Sequence, residues 1–182
     1  KEAVRSANNE ETSELSKIIG ESYFNQESYE EAIPYLENYE GKKGTWDNTD
    51  YYQLGYAYFK QKKYDQAIGQ FNKIIGDKNA LAQNAYYVLA ECYLNSNQKS
   101  AALNAFKSAS AMSFNEVIQE DAFLNYAKLS YEIGNPFEDP PQVLVAFLEA
   151  YPKNDQIALI EELLINSYTK NKNYAAALEI LE

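Results

Sequence analysis

The residue types that carry most enzymatic chemistry are nearly missing from this chain. Its 182 residues include no histidine and one cysteine, Cys92. Histidine-based acid–base catalysis and histidine ligation of a metal are therefore excluded. One cysteine forms neither an intramolecular disulfide nor a cysteine-based zinc site. Cys92 stands one residue before Tyr93 in acidic surroundings with no cationic neighbour, so a packed, unreactive thiol is expected. The carboxylate pairs Glu30-Glu31 and Glu161-Glu162 have the chemistry of a glycosidase pair but not the spacing. Adjacent helix positions point about 100° apart, whereas catalytic carboxylates must converge on one sugar. The glycine-rich run Gly41-Lys42-Lys43-Gly44-Thr45 is no phosphate loop, which ends in Gly-Lys-Ser/Thr after a strand. It reads as a connecting loop. No catalytic residue, cofactor or metal site follows from the sequence, and an enzyme is the last of the readings.

Charge narrows the partners. The formal net charge is −11, opposite to what phosphates require, so nucleic acid is excluded as a ligand. The densest basic cluster is Lys60, Lys62 and Lys63, of which Lys62 and Lys63 read as a solvated turn, and an anionic membrane surface is disfavoured on the same electrostatic ground. No apolar run approaches the ~20 residues of a transmembrane segment. The start, Lys1 to Ser6, lacks the apolar stretch of a signal peptide and reads like the middle of a longer protein. A disulfide-free chain suits cytosol or periplasm equally.

Seven glycines and five prolines are few, while the good helix formers alanine, leucine, glutamate and lysine are abundant, which favours helices. The 17 tyrosines far outnumber the 8 phenylalanines and the single Trp46. They are not scattered. Ile19-Gly20-Glu21-Ser22-Tyr23-Phe24 aligns without gaps on Leu54-Gly55-Tyr56-Ala57-Tyr58-Phe59 and on Leu89-Ala90-Glu91-Cys92-Tyr93-Leu94, a period of 35. Ala32, Ala67 and Ala102 recur at the same period, each followed four residues later by Leu36, Phe71 or Phe106. Small residues on both helices let a pair approach closely, and the large residues fill the grooves beside them. Neither helix could bury its face alone, so each pair must lean on the next.

These residues resemble the tetratricopeptide repeat (TPR) family, most fully in Tyr51, Leu54, Gly55, Tyr58, Ala67, Phe71 and Ile74. The resemblance implies an all-α fold, a right-handed α-solenoid of about five TPR-like helical hairpins. Repeats are placed at 11–44, 45–78, 79–114, 115–153 and 154–182, with 1–10 as the tail of a preceding repeat. Helices are expected over 11–26, 28–40, 47–61, 64–75, 79–95, 98–112, 115–133, 140–150, 155–171 and 174–182. Asp47 is the expected N-cap after the main loop, 40–46. The fourth repeat departs from the pattern, with extra residues near Met112–Asn115 and at Gly134-Asn135-Pro136-Phe137. There Asp139-Pro140-Pro141 can open the second helix one turn late. In the fifth, Ile165 replaces the small residue, so that hairpin should be splayed or shifted. Both ends read as open, which allows self-association through the terminal helices. The Tyr-, Asn- and Lys-rich style resembles long TPR arrays of the bacterial cell envelope.

In that family the first helices of successive repeats line a concave groove that holds partner segments. The resemblance places Lys17, Glu21, Tyr52, Gln53, Tyr56, Asn84, Tyr87, Glu91, Asn125 and Lys128 there, and turns Val88 and Leu124 toward the groove as well. The implied function is a protein-interaction scaffold that binds a protein or peptide segment. The tyrosines could equally cover the seam between repeats, stack on a sugar, or belong to a structural spacer within a larger assembly. The two-carboxylate clamp known in the family is not supported, because tyrosines occupy its polar positions and Glu21 and Glu91 would repel a carboxylate.

Overall fold

Each helix that folds back on itself does so through one left-handed residue. In the computed structural model, which describes the backbone of residues 2–181 and the side chains of 9–181, these residues are Glu27, Lys62, Asn97, Gly134 and Lys172, with φ between 57° and 67°. The next amide reaches five residues back in every case. Ser28 donates to the Tyr23 carbonyl at 2.9 Å, Lys63 to Tyr58 at 2.9 Å, Gln98 to Tyr93 at 2.8 Å, Asn135 to Ser130 at 3.0 Å and Asn173 to Tyr168 at 2.8 Å. This closure satisfies carbonyls left open at a helix end. Four of the five turns use a residue with a Cβ in this conformation, which is strained relative to glycine.

The chain divides into two compact units, residues 1–98 and 99–182. The first holds α1 (Glu2–Asn25), α2 (Tyr29–Glu37), α3 (Asn48–Lys60), α4 (Tyr64–Phe71) and α5 (Ala80–Asn95). The second holds α6 (Lys99–Ser110), α7 (Glu116–Ile133), α8 (Pro140–Ala150), α9 (Ile157–Lys170) and α10 (Tyr174–Glu179). The ten helices match the expected set in order. α1 continues unbroken through residues 2–10, and α4 stops at Phe71 rather than 75.

In the first unit, consecutive helices pack in sequence: α1 on α2, α2 on α3, α3 on α4 and α4 on α5. The expected small residues govern these approaches. A Cβ on Gly20 would lie 2.8 Å from Leu36 Cδ2 and 3.1 Å from the Leu36 backbone nitrogen. One on Gly55 would meet Gln70 Cβ at 3.1 Å and the Phe71 ring at 3.2 Å. Ala32, Ala67 and Phe71 are fully buried opposite them, so the core is a ladder of small and large residues. α3 starts on a capping box, in which Asp47 accepts from the Asp50 amide at 3.0 Å and Asp50 from the Asp47 amide at 2.8 Å. Both bonds occupy amides that the helix start leaves without partners.

The second unit packs α6, α7, α8, α9 and α10 in the same sequential way. Its fourth-repeat turn carries an extra segment with its own polar core. Asn135 is buried and donates to Tyr126 Oη at 3.0 Å and Ser130 Oγ at 3.1 Å. Its Oδ1 accepts from the Phe137 amide at 2.9 Å. Pro140 and Pro141 occupy the first positions of α8, where a missing amide hydrogen costs nothing.

Candidate functional site

The ten groove candidates come from the first helix of successive repeats. Eight lie in the first unit: Lys17 and Glu21 on α1, Tyr52, Gln53 and Tyr56 on α3, and Asn84, Tyr87 and Glu91 on α5. Asn125 and Lys128, on α7, lie in the second. All ten are half-buried, neither core nor free surface. Val88 and Leu124, also expected to face the groove, do not: both are at most 5% exposed and belong to the core. At those positions the helical phase turns the side chain inward, and an apolar side chain follows it.

In the first unit an aromatic array organises the row. Tyr52 and Tyr56 stack with ring centroids 5.8 Å apart and planes 17° apart. Tyr52 also meets Phe71 edge-on at 5.8 Å, and its hydroxyl donates to Asn84 Oδ1 at 3.0 Å. Burial, followed by the nearby Tyr56 and Tyr29 phenols, pushes the Tyr52 phenol well above its ordinary pKa. Tyr56 packs edge-on against Phe24 at 5.9 Å and Tyr29 at 5.8 Å. The Lys60 ammonium lies 5.6 Å from the Tyr56 ring and 5.7 Å from that of Tyr29, within cation–π range. These tyrosines seal the seam between repeats and leave part of their surface outward.

Lys17 is committed inward. Its Nζ lies 2.6 Å from Oδ1 of the buried Asp50, 4.8 Å from the centre of the Tyr39 ring and 3.9 Å from Glu21. Desolvation acts to lower the Lys17 pKa, but its hydrogen bond to Asp50 and the charges around it outweigh that, and the net shift is upward. From Tyr39 the contacts continue to Trp46 at 6.3 Å, Tyr51 at 5.1 Å and the Lys73 ammonium at 4.6 Å. This file of rings clamps the main loop onto α3 and the turn that follows α4. The Gln53 side-chain oxygen is buried without a hydrogen-bond partner. Cys92 is fully buried, and that burial, with Glu91 nearby, pushes its thiol up to about 12.

In the second unit Asn125 donates to the Asp121 carbonyl at 2.9 Å and to its carboxylate at 3.1 Å. Lys128 reaches the Gln156 oxygen at 3.5 Å. Sequence reasoning did not connect Phe24, Tyr29, Lys60 or Asp50 with the row, which they hold in place. Asp50 carried a legible signal, since an acid three residues after Asp47 completes a capping box. Its partnership with Lys17, one repeat away, had none.

Repeat and helix packing together define a TPR-type helical-repeat fold, of the expected all-α class. Residues 25–109 match the family described as anaphase-promoting complex, cyclosome, subunit 3. No curated protein matches the chain. Among solved structures, MamA superposes with a TM-score of 0.67 at 17% identity, over 94% of this chain and 88% of that one. MamA from Desulfovibrio magneticus RS-1 gives 0.61 at 20% identity, over 93% and 91%. YrrB, described as a TPR protein with an unusual peptide-binding site, gives 0.65 at 19% identity, over 89% and 79%. At these identities the likeness is one of fold.

Proposed function

We propose that the chain is a non-catalytic interaction scaffold that holds a peptide or protein segment against the first helices of its repeats. The observation that carries this is the half-buried row on α1, α3 and α5, whose central tyrosines are fixed by stacking and by the Tyr52–Asn84 bond before any partner arrives. Pre-organised phenols offer large contact area at little further entropic cost. The peptide-binding site named for YrrB supports the reading by analogy of fold. Glu21 and Glu91 border the row while Lys17 is held by Asp50, so a neutral or basic segment suits it better than an acidic tail.

A sugar platform is the weaker reading. Tyr52 and Tyr56 spend ring faces and edges on one another, on Phe71, Phe24 and Tyr29, and on Lys60, and stacking a sugar needs an open face. The test is affinity capture of a partner, followed by titration with a Tyr56→Ala/Tyr87→Ala variant. Loss of roughly tenfold or more in affinity is expected if these are central contacts. Unchanged affinity in a folded variant would remove the groove assignment.

A further inference from the structure

The fourth-repeat turn breaks the register that closes the other hairpins. After the left-handed residues Glu27, Lys62, Asn97 and Lys172 the second helix begins two residues on. After Gly134 it begins six residues on, at Pro140. The first two repeats show which contact this delay removes. Phe24 packs on Tyr29 with ring centroids 5.5 Å apart, and Phe59 on Tyr64 at 6.3 Å, each pair spanning its turn. Tyr131 stands three residues before Gly134, as Phe24 does before Glu27 and Phe59 before Lys62, but no tyrosine opens α8. Tyr131 instead lines a cavity of about 240 Å³ between the end of α7, the start of α8 and the end of α9. The cavity lies within the second unit, and no groove candidate lines it.

The polar groups on its wall are of both signs and uncommitted. Asp139 and Lys170 both line it. The Asp139 carboxylate caps no amide of α8, and among the described residues neither Asp139 nor Lys170 joins an ion pair. Ser167, also on the wall, is only 7% exposed, and its hydroxyl has no hydrogen-bond partner among the described residues. A hydroxyl so nearly buried normally finds one inside the protein, so Ser167 offers a donor to whatever enters. Pro140 and Pro141 form an apolar side. They also remove two of the amides with which a helix start would hold an anion. An anion in the cavity therefore falls to Lys170, and a cation to Asp139. A ligand of one sign would leave the other charge unanswered. The volume is below the ~300–1,000 Å³ of drug-sized sites, so the occupant is small.

We infer that this cavity binds an aliphatic amino acid of about valine's size, as its zwitterion. The carboxylate pairs with Lys170 and accepts from Ser167, and the ammonium pairs with Asp139. The side chain lies against Pro140, Pro141 and Tyr131. The site is separate from the groove and does not rest on the scaffold reading.

The experiment is isothermal titration of the whole chain with L-valine and two analogues. These are 3-methylbutanoate, which lacks the ammonium, and 2-methylpropylamine, which lacks the carboxylate. Valine should bind at one per chain, and each analogue roughly tenfold or more weaker. Asp139 and Lys170 are exposed, so Asp139→Asn and Lys170→Gln should keep wild-type helix content by circular dichroism. Each should weaken valine binding by roughly tenfold or more. Asp139→Asn should also erase the preference for valine over 3-methylbutanoate, which a merely structural change would leave in place. No saturable valine binding up to about 10 mM, an analogue that binds as tightly as valine, or folded variants with unchanged affinity would each overturn the inference.

Discussion

The phenol of Tyr52 donates to Asn84 Oδ1 across 3.0 Å, joining α3 to α5 through two residues that both belong to the candidate groove. Tyr52→Phe keeps the ring stack and removes only this bond. Because the Tyr52–Asn84 bond is part-buried, the Tyr52 hydroxyl is not simply exchanged for water, and a loss of about 1 kcal/mol is expected in urea unfolding. Asn84→Ala should cost a similar amount. The double variant should cost less than the sum, since each single change already breaks the same bond. Strict additivity would show that the bond contributes nothing.

The left-handed turn residues make a prediction of opposite sign. Lys62 sits at φ 58° with its side chain exposed, in a conformation that costs a residue with a Cβ about 1–2 kcal/mol. Glycine removes that strain but adds unfolded-chain entropy of about 0.5–1 kcal/mol. Lys62→Gly should therefore stabilise by about 0.5 kcal/mol, and Lys62→Val should destabilise by more than that. Thermal unfolding of the pair checks both. A glycine variant less stable than wild type would contradict the strain argument.

These same turns show where sequence reading succeeds and where it stops. Gly20, Gly55 and the alanines opposite them were legible because close packing admits only small residues, and such a demand leaves a period. The turn at Glu27, Lys62 and Asn97 recurs at the same period but tolerates several residue types at modest cost, so the left-handed position left no signature. Val88 and Leu124 read as groove-facing but belong to the core, because helical phase resolves a face only to within one side chain. The Lys17–Asp50 pair and the Asn135 network unite residues on separate elements. A helix-by-helix reading sees each of those polar groups as solvated.

Gly20 itself can be tested against helix propensity. Glycine to alanine in a helix interior ordinarily gains up to about 1 kcal/mol. At Gly20 the new methyl would lie 3.1 Å from the Leu36 backbone nitrogen as well as 2.8 Å from its side chain, and the backbone cannot step aside without moving α2. Gly20→Ala is expected to destabilise by about 1–3 kcal/mol, the usual range for overpacking. Gly69→Ala, in α4 with open space around the added carbon, should stabilise instead. Denaturant midpoints of the two variants should move in opposite directions.

The fourth-repeat network gives the clearest pH dependence. The Tyr126 hydroxyl donates to Glu138 Oε2 at 2.6 Å and accepts from Asn135 at 3.0 Å, while Lys107 pairs with the other Glu138 oxygen. The Lys107 hydrogen bond, then that of Tyr126, holds the Glu138 carboxyl below its ordinary value of 4.5, against a smaller opposing effect of burial. A carboxyl whose folded pKa lies below its unfolded one contributes stability that is present above the unfolded value and is lost as pH falls through the folded value. Lys107 and Glu138 are each more than 40% exposed, so water screens the pair and about 1 kcal/mol or less is expected from it. Wild type minus Glu138→Gln should therefore show a stability difference at pH 7 that shrinks below about pH 4.5. Tyr126→Phe should reduce that difference at neutral pH, because the carboxylate then has one partner fewer. Urea titrations of the three proteins across that range measure it directly, and a difference independent of pH would show that the Glu138 charge plays no part in the network.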